Sequence, residues 1–293
     1  RQELVFIGAG IDWPALKARL DACLVKEQAS DLTRLAGLPD LVLPTDRPRP
    51  VVRNDAGGLI AVPLDPAAMA RLRALGRAER ASPFMVLLAI FRHLLGRYSG
   101  QEDFAIGTPV AARSRPELEP LIGFFANTLA IRSRIPSDAS LRRAVAIVRE
   151  DAGQAFARQD LPFDRLVEEL GIARDPGRNP VFQVLFVLQN AGRATPRVAG
   201  LELTPLKADT ATAKFDLTLS VVPGPVAEGA ETEDCKQALF EFATDLFDPD
   251  GIEMMGACFA ELVMRLSVEA DAPMSSIALD AAGMAAAADD DGW

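Results

Sequence analysis

Two apolar stretches joined by a polar loop constrain the fold of this chain more than any other part of its sequence. Residues 104–111 follow the turn-forming pair Ser99 and Gly100, and residues 124–131 alternate large apolar residues with small or polar ones. Alternation of this kind is typical of β-strands. The connecting residues 113–120 contain two prolines and four charged residues, which favours a surface position. The sequence therefore predicts two strands with an exposed loop between them.

Asn127 is the one amide in the second of these strands. A buried amide that lacks hydrogen-bond partners costs about 1–3 kcal/mol. The side chain of Asn127 therefore either fastens the strand to a neighbouring loop or faces a polar cavity. Fastening is the interpretation that we prefer.

Local capping signals mark the helices. Residues 65–66, 82–83 and 248–249 are Asp-Pro or Ser-Pro pairs, which combine an N-cap with a residue suited to the first helical turn. Ser140 is a fourth cap, and Gly171 is a typical helix end. The predicted helices cover residues 13–26, 66–80, 84–98, 140–156, 162–170 and 249–267. The helix at 84–98 is apolar nearly all round, which indicates that it is buried.

Apolar runs between turn residues predict the other strands. Residues 181–188 are rich in Val, Phe and Leu without a break, as expected of a strand that is buried on both faces. The remaining predicted strands cover residues 4–7, 59–62, 201–206, 215–222 and 238–244. Strands and helices alternate without a repeat, which indicates an α/β layered domain around a mixed sheet flanked by helices.

Residues 41–50, which we call the strap, contain three prolines. Each proline fixes its own backbone and restricts the residue before it, so a regular element is excluded. The strap is predicted to be an extended connection laid over a surface.

Composition excludes several classes of function. The formal net charge of −10 argues against a nucleic-acid surface, which needs clustered Lys and Arg. No apolar run reaches the roughly 20 residues that span a bilayer, so we expect no membrane association. Three scattered cysteines without metal-ligand spacing suit a reducing cytoplasm. Residues 1–8 lack the basic start and the long apolar stretch that are typical of a signal peptide. The chain begins with Arg1 and not with Met, from which we expect a piece cut from something longer.

Few residues suggest chemistry of their own. His93 is the single histidine and lies on the apolar helix at 84–98, so it is either a general base or a packed residue; we prefer the packed residue. A histidine-rich metal site is excluded, and the acidic residues 289–292 do not make a convincing calcium site. Two further sets predict bracing ion pairs: an Arg–Asp pair within residues 174–180, and Lys214 with Asp216.

The order of several motifs resembles the C-terminal half of the condensation domain of nonribosomal peptide synthetases. Residues 122–132 match Ile-Gly-x-Phe-Val-Asn-Thr-Leu-x-x-Arg with Ala126 in place of Val. Residues 158–164 match His-or-Asn-Gln-Asp-x-Pro-Phe-Glu, with departures at the first and last positions. Residues 174–181 match Arg-Asp-x-Ser-Arg-Asn-Pro-Leu, with departures at the fourth and last positions. The resemblance covers about residues 32–279.

The resemblance implies a fold similar to chloramphenicol acetyltransferase. In that family two such lobes form a V, and carrier proteins deliver phosphopantetheine-tethered substrates to the tunnel between them. The acceptor amine attacks the donor thioester, and a peptide bond forms. The family's signature His-His-x-x-x-Asp-Gly belongs to the N-terminal lobe and does not occur in this sequence. The resemblance therefore implies a C-terminal lobe that supplies one tunnel wall, the strap and part of a carrier docking surface, and that cannot condense substrates alone.

The resemblance also implies a domain layout, partners and candidate residues. Residues 1–40 are expected to be a helical remnant of the other lobe or a linker, residues 41–284 the lobe itself, and residues 285–293 an acidic tail. Expected partners are peptidyl carrier proteins, the missing N-terminal lobe and an adenylation domain, with no cofactor bound directly. The candidate residues for the tunnel or the lobe interface are Gly107, Arg113, Gly123, Asn127, Arg178 and Asn179. A purely structural role for these six residues is an equal alternative.

Two other functions remain open. One is a degenerate condensation-like module that docks carrier proteins or recruits a tailoring enzyme. The other is an independent acetyltransferase-like enzyme that uses His93, which requires a homo-oligomer that brings this residue to an interface.

Overall fold

A six-stranded mixed sheet organises the protein. A computed structural model describes residues 34–113, 122–123, 125–173, 175–189, 211–223 and 236–279. The strands are β1 (Gly57–Leu64), β2 (Asp103–Val110), β3 (Asn127–Arg134), β4 (Val184–Leu188), β5 (Leu217–Pro223) and β6 (Lys236–Ala243). Their order across the sheet is β1-β6-β5-β4-β2-β3. β4 is parallel to β2 and β5, and every other pair is antiparallel. The predicted α/β layered fold with a mixed sheet is confirmed.

Five α-helices with bounds inside the described ranges accompany the sheet, together with a 3₁₀-helix at Met274–Ser276. The α-helices are α1 (Pro66–Ala78), α2 (Pro83–Ser99), α3 (Leu141–Phe156), α4 (Phe163–Leu170) and α5 (Pro249–Leu266). The predicted caps form at Asp65, Ser82 and Ser140, whose side-chain oxygens accept hydrogen bonds from a backbone N–H three residues later. Asp248 makes no such bond, because its carboxylate pairs with Arg47 of the strap.

The two faces of the sheet carry separate apolar clusters. Phe104 and Ile106 of β2 point into the main core, which contains the buried sides of α1, α2, α3 and α5. Ala105, between them, belongs to a smaller cluster with Phe182 and with Leu166 of α4. Alternate residues of a strand face opposite sides, so α4 covers the face away from the main core. Ten consecutive residues of α2 are buried, which confirms the predicted buried helix.

Two predicted strand starts were wrong by three residues. β3 begins at Asn127 rather than 124, because its first residue pairs with Val110, where β2 ends. β4 begins at Val184 rather than 181, because Val181 has a left-handed backbone with φ of 70° that ends any extended run. β4 is also not buried on both faces: Val184 is fully buried, whereas Val187 is only half-buried.

The strap has no regular structure, as predicted. Leu41 and Leu43 anchor it in the main core, while Val42 between them is exposed. The backbone N–H of Leu41 donates to Gln183 Oε1 at 3.0 Å, and that of Asp46 donates to a carbonyl beyond β6 at 2.9 Å. The strap therefore crosses the end of the sheet from the start of β4 to the start of α5.

Several predictions fall outside the described residues: the strand at 4–7, the helix at 13–26, the strand at 201–206 and the tail at 285–293. The first 33 residues of the predicted N-terminal segment and most of the loop at 113–120 also lie there. Within the described ranges, no helix is long and apolar enough to cross a membrane.

Candidate functional site

A network of arginines fastens the strap to the segments ahead of β4 and β5. The guanidinium of Arg49 forms a two-point contact with the carboxylate of Asp216, with Nη1 3.0 Å from Oδ1. The same Nη1 donates to the carbonyl of Gly177 at 3.1 Å. The hydrogen bond to Asp216 raises the pKa of Arg49, so the guanidinium stays charged. Asp216 is 5% exposed, which makes this a largely desolvated pair.

Arg53 forms the second connection, just beyond the strap. Its Nη1 donates to Asn179 Oδ1, and its Nη2 donates to the carbonyl of Ala213 at 2.7 Å. Asn179 Nδ2 in turn donates to the carbonyl of Lys214 at 3.2 Å. Arg53 and Asn179 thereby hold the residues ahead of β4 against those ahead of β5.

Arg178 lines a groove of about 440 Å³, which Asn179 of this network also lines. Its Nη1 lies 3.2 Å from Asp40 Oδ2, next to the strap. The apolar lining comes from Leu35, Leu38, Leu170, Ile172 and Val181, and the polar lining includes Asp40, Glu169, Asp175, Arg178 and Asn179. An apolar floor with charged groups at the rim suits an elongated ligand that is part apolar and part polar.

The predicted pairing of Lys214 with Asp216 was wrong, and the pair predicted within residues 174–180 is tested for Arg178 alone. Lys214 does not pair with Asp216, because Arg49 occupies that carboxylate. Within 174–180, Asp175 accepts from the backbone N–H of Gly177 at 2.8 Å, while Arg178 pairs with Asp40. Arg174 lies outside the described residues. The sequence analysis missed Arg49 and Arg53, for which the only available signal was their position in and next to a proline-rich segment.

Gly107 lies under an aromatic ring. A Cβ at this position would lie 2.1 Å from Cε2 of Phe182, a contact that no side chain can make. The Phe182 ring stacks on Phe215 with centroids 5.6 Å apart and also contacts Phe163 at 5.3 Å. The close approach of this aromatic cluster to β2 is a structural reason for glycine at 107.

Asn127 fastens β3 to the loop before α4. Its Nδ2 donates to the carbonyls of Gln159 at 2.8 Å and Leu161 at 2.7 Å, and its Oδ1 accepts from the N–H of Phe163 at 3.0 Å. The preferred interpretation of this amide is confirmed.

Arg113 and Gly123 meet at a second aromatic ring. The Arg113 guanidinium lies over Phe125, 4.4 Å from the ring centroid. A Cβ at Gly123 would lie 3.0 Å from the same ring. Both residues, with Asn127, lie near the end of β2 at Val110.

The six candidate residues therefore do not form one cluster. Arg113, Gly123 and Asn127 lie at the carboxyl end of β2, whereas Arg178 and Asn179 precede the amino end of β4. Because β2 and β4 are parallel, the two sets lie at opposite ends of the sheet. Gly107 lies between them.

His93 belongs to neither set. The residue is 7% exposed on α2, and burial lowers the pKa of the imidazole to about 4, with a further contribution from Arg97. A backbone hydrogen bond to Met274 has the opposite effect and raises the pKa of His93. A neutral imidazole packed on a core helix agrees with the preferred interpretation. Among the described residues there is no cluster of three or more metal-ligating side chains.

Sequence comparison finds relatives among peptide synthetases. The model of the condensation domain family matches residues 26–283. A linear gramicidin synthase from Brevibacillus parabrevis is 43% identical over 82% of this chain, and phosphinothricin tripeptide synthetase PhsC from Streptomyces viridochromogenes is 43% identical over 81%. The chain spans only 3% and 21% of the length of these relatives.

Solved structures show the same fold. The X-domain from teicoplanin biosynthesis has a TM-score of 0.80 and 25% identity, over 87% of this chain and 57% of that one. The complex of the X-domain and OxyB gives a TM-score of 0.77 at 25% identity, over 87% of this chain and 55% of that one. A four-domain nonribosomal peptide synthetase bound to AMP and glycine has a TM-score of 0.75 and 22% identity. The match covers 87% of this chain and 20% of that one. On its sequence and its fold, this chain belongs to the condensation domain family of nonribosomal peptide synthetases.

Proposed function

We propose that this chain is the C-terminal lobe of a condensation domain and contributes one wall of a site for amide formation between carrier-bound thioesters. The reaction joins the acceptor amine nitrogen to the donor thioester carbonyl carbon, breaks the carbon–sulfur bond and releases the donor carrier thiol. In this proposal the chain positions substrates and does not supply the histidine motif, so it is inactive by itself.

The fastened strap is the observation that carries this proposal. Arg49 within it and Arg53 just beyond it bond to the residues ahead of β4 and β5 at one end of the sheet. A segment held by charge-assisted bonds at a sheet end forms a rigid wall, and rigidity favours the positioning of two substrates. The groove beside Arg178 supplies an amphipathic surface on that wall, suited to an elongated tethered substrate or to a carrier protein.

The position of His93 supports inactivity of the isolated chain. The side chain is buried on α2, whose neighbouring residues belong to the main core. Its pKa, lowered to about 4, makes the imidazole a weak base, and its burial hinders contact with a carrier-bound thioester. The chain has no second histidine with which to build the signature.

An amide-formation assay in two arms tests the proposal. In the first arm, the purified chain is mixed with a donor-loaded and an acceptor-loaded carrier protein, and we expect no peptide product by mass spectrometry. In the second arm, the chain replaces the matching residues of a host condensation domain that carries His-His-x-x-x-Asp-Gly, and we expect product to form.

Variants in the second arm test whether the groove beside Arg178 is part of the proposed wall. Arg178→Gln removes the charge at the groove and is expected to lower the rate about tenfold or more. Arg165→Gln, on the exposed side of α4, is the matched control and leaves the rate unchanged. Product in the first arm, or a hybrid that folds and binds both carriers yet makes no product, would overturn the assignment.

A second candidate is a binding module without catalysis, and the teicoplanin X-domain favours it. That domain forms a complex with OxyB. A chain with this role recruits a tailoring enzyme to a carrier-bound peptide. Binding of a purified carrier protein by the isolated chain, together with an inactive but folded hybrid, is the result that selects this candidate.

A further inference from the structure

Gln183 is a buried amide just ahead of β4, and it is 1% exposed. Its Oε1 accepts a hydrogen bond from the backbone N–H of Leu41 at 3.0 Å. Its Nε2 donates to Asp40 Oδ1 and to the carbonyl of Asn179, both at 3.2 Å. These bonds use the oxygen and both N–H donors of the amide. The amide is therefore fixed in one orientation, because rotation would leave a buried polar group unpaired.

Asp40 connects this amide to the groove. Its Oδ1 accepts from Gln183, and its Oδ2 lies 3.2 Å from Arg178 Nη1. Gln101 holds the backbone of the same residue, since its Nε2 donates to the Asp40 carbonyl at 2.9 Å. With the main chain held and one carboxylate oxygen bonded to a buried amide, the second oxygen meets Arg178 in a defined place.

The ion pair of Asp40 with Arg178 would be weak without this support. The Asp40 side chain is 54% exposed and that of Arg178 is 23% exposed. Ion pairs in contact with water contribute little, because both side chains lose conformational freedom when they form. The bond to Gln183 removes that freedom from one partner in advance. Among the described residues, Asp40 is the one side chain to which Arg178 donates, so the placement of the guanidinium depends on it.

The placement of Arg178 matters because this residue lines the groove. A guanidinium has five N–H donors in a rigid fork, and one of them is used for Asp40. The other donors suit carbonyl oxygens of a molecule in the groove. A misplacement of about 1 Å can lower a rate about a hundredfold, so a fork held in advance is worth more than a free one.

We propose that Gln183 is a positioning residue, which acts through the Asp40 carboxylate to hold Arg178 where it donates to a carbonyl oxygen of a carrier-bound substrate. The described lining of the groove does not include Gln183, so its effect passes through other side chains. This inference rests on the proposed amide-forming function and adds to it a residue behind the wall of the site.

A double-variant cycle in the active hybrid condensation domain tests this role. Gln183→Met removes all three hydrogen bonds and keeps a side chain of similar size in the buried position. We expect it to lower kcat/KM for the loaded carrier about tenfold in the unaltered hybrid. With Arg178→Gln already present, we expect a loss of about twofold or less, because effects that pass through one residue are not additive. A purely structural loss would be equal in both backgrounds.

Asn127→Ala is the matched control. The amide of Asn127 also makes three hydrogen bonds, but it lies at the opposite end of the sheet. Whatever loss this variant causes is expected to be the same with and without Arg178→Gln. Urea unfolding shows which hybrids are folded at the assay temperature.

Asp40→Asn is the second variant and carries the test if Gln183→Met does not fold. It changes a half-exposed side chain, keeps its shape and removes the charge that faces Arg178. We expect it to lower kcat/KM about fivefold, to have little further effect beside Arg178→Gln, and to remove most of the effect of Gln183→Met.

The results separate this inference from the proposed function. An active hybrid in which Gln183→Met causes the same loss with Arg178 and with Arg178→Gln would overturn the positioning role and leave the proposed function standing. A Gln183→Met effect of full size beside Asp40→Asn would overturn the path through Asp40. A folded, unaltered hybrid that makes no product removes the proposed function and this inference with it.

Discussion

Arg49 and Asp216 join the strap to the residue just before β5, across 167 positions of sequence. The Arg49 side chain is 23% exposed and that of Asp216 is 8% exposed, so the pair is only partly screened by water. Removing one member of such a pair leaves an uncompensated charge near the core. This pair is therefore one of several contacts that hold the strap on the sheet.

Asp216→Asn is expected to lower the free energy of unfolding by about 2–3 kcal/mol, because Arg49 loses its charged partner and keeps part of its desolvation cost. Urea unfolding followed by circular dichroism measures the loss. Arg165→Gln is the matched control, since its partners Glu168 and Glu169 are exposed and such pairs contribute about 0.5 kcal/mol or less. Equal losses in the two variants would contradict a special role for Asp216.

Gly107→Ala is expected to destabilise the fold by about 1–3 kcal/mol, because its Cβ would collide with the Phe182 ring. Gly153→Ala is the control: Gly153 lies on α3, and a Cβ there meets no atom within 4 Å. The helix gains up to about 1 kcal/mol from that change. Differential scanning calorimetry of both variants measures the change in stability, which is expected to be a loss for Gly107→Ala and a gain for Gly153→Ala. A neutral Gly107→Ala would show that the ring moves aside without cost.

Asn127→Asp tests the fastening of β3. Two of the three hydrogen bonds are donated by Asn127 to carbonyls, which a carboxylate cannot do. We expect a loss of about 2–3 kcal/mol at pH 7. Facing carbonyls raises the pKa of the new carboxyl in the folded state, so part of the lost stability returns on acidification, when the group carries a proton. Asn127→Ala lacks this recovery and serves as the comparison in unfolding curves at about pH 7 and about pH 4.5.

His93 is expected to make the stability of this chain depend on pH. The folded pKa of His93 is lowered to about 4 from an ordinary value near 6.5, so the unfolded chain binds a proton first as pH falls. The contribution of His93 to the free energy of unfolding is fully present above about pH 6.5 and is lost as the pH falls to about 4. The stability lost over this range is on the order of 3 kcal/mol. The difference in urea midpoint between the unaltered chain and His93→Gln, followed from about pH 7.5 to about pH 4.5, isolates this residue; curves that stay parallel would contradict it.

Much of the fold could be predicted because its signals are local. A helix cap involves a side chain and a backbone N–H three residues away, so Asp65, Ser82 and Ser140 predict their helices without knowledge of the rest of the chain. The fastening role of Asn127 follows from the cost of burying an amide. Its acceptors at Gln159 and Leu161 are more than 30 positions away and could not be named in advance.

The α/β layering, the helix starts and the family could all be inferred from the chain alone, because capping, hydrophobic periodicity and ordered motifs are properties of neighbouring residues. The folded protein was needed to show that Arg49 rather than Lys214 pairs with Asp216 and that Phe182 covers Gly107. It was also needed to show that the candidate residues divide between two ends of the sheet. Such contacts depend on strand order and register, since a parallel pairing brings together residues that no short-range pattern connects.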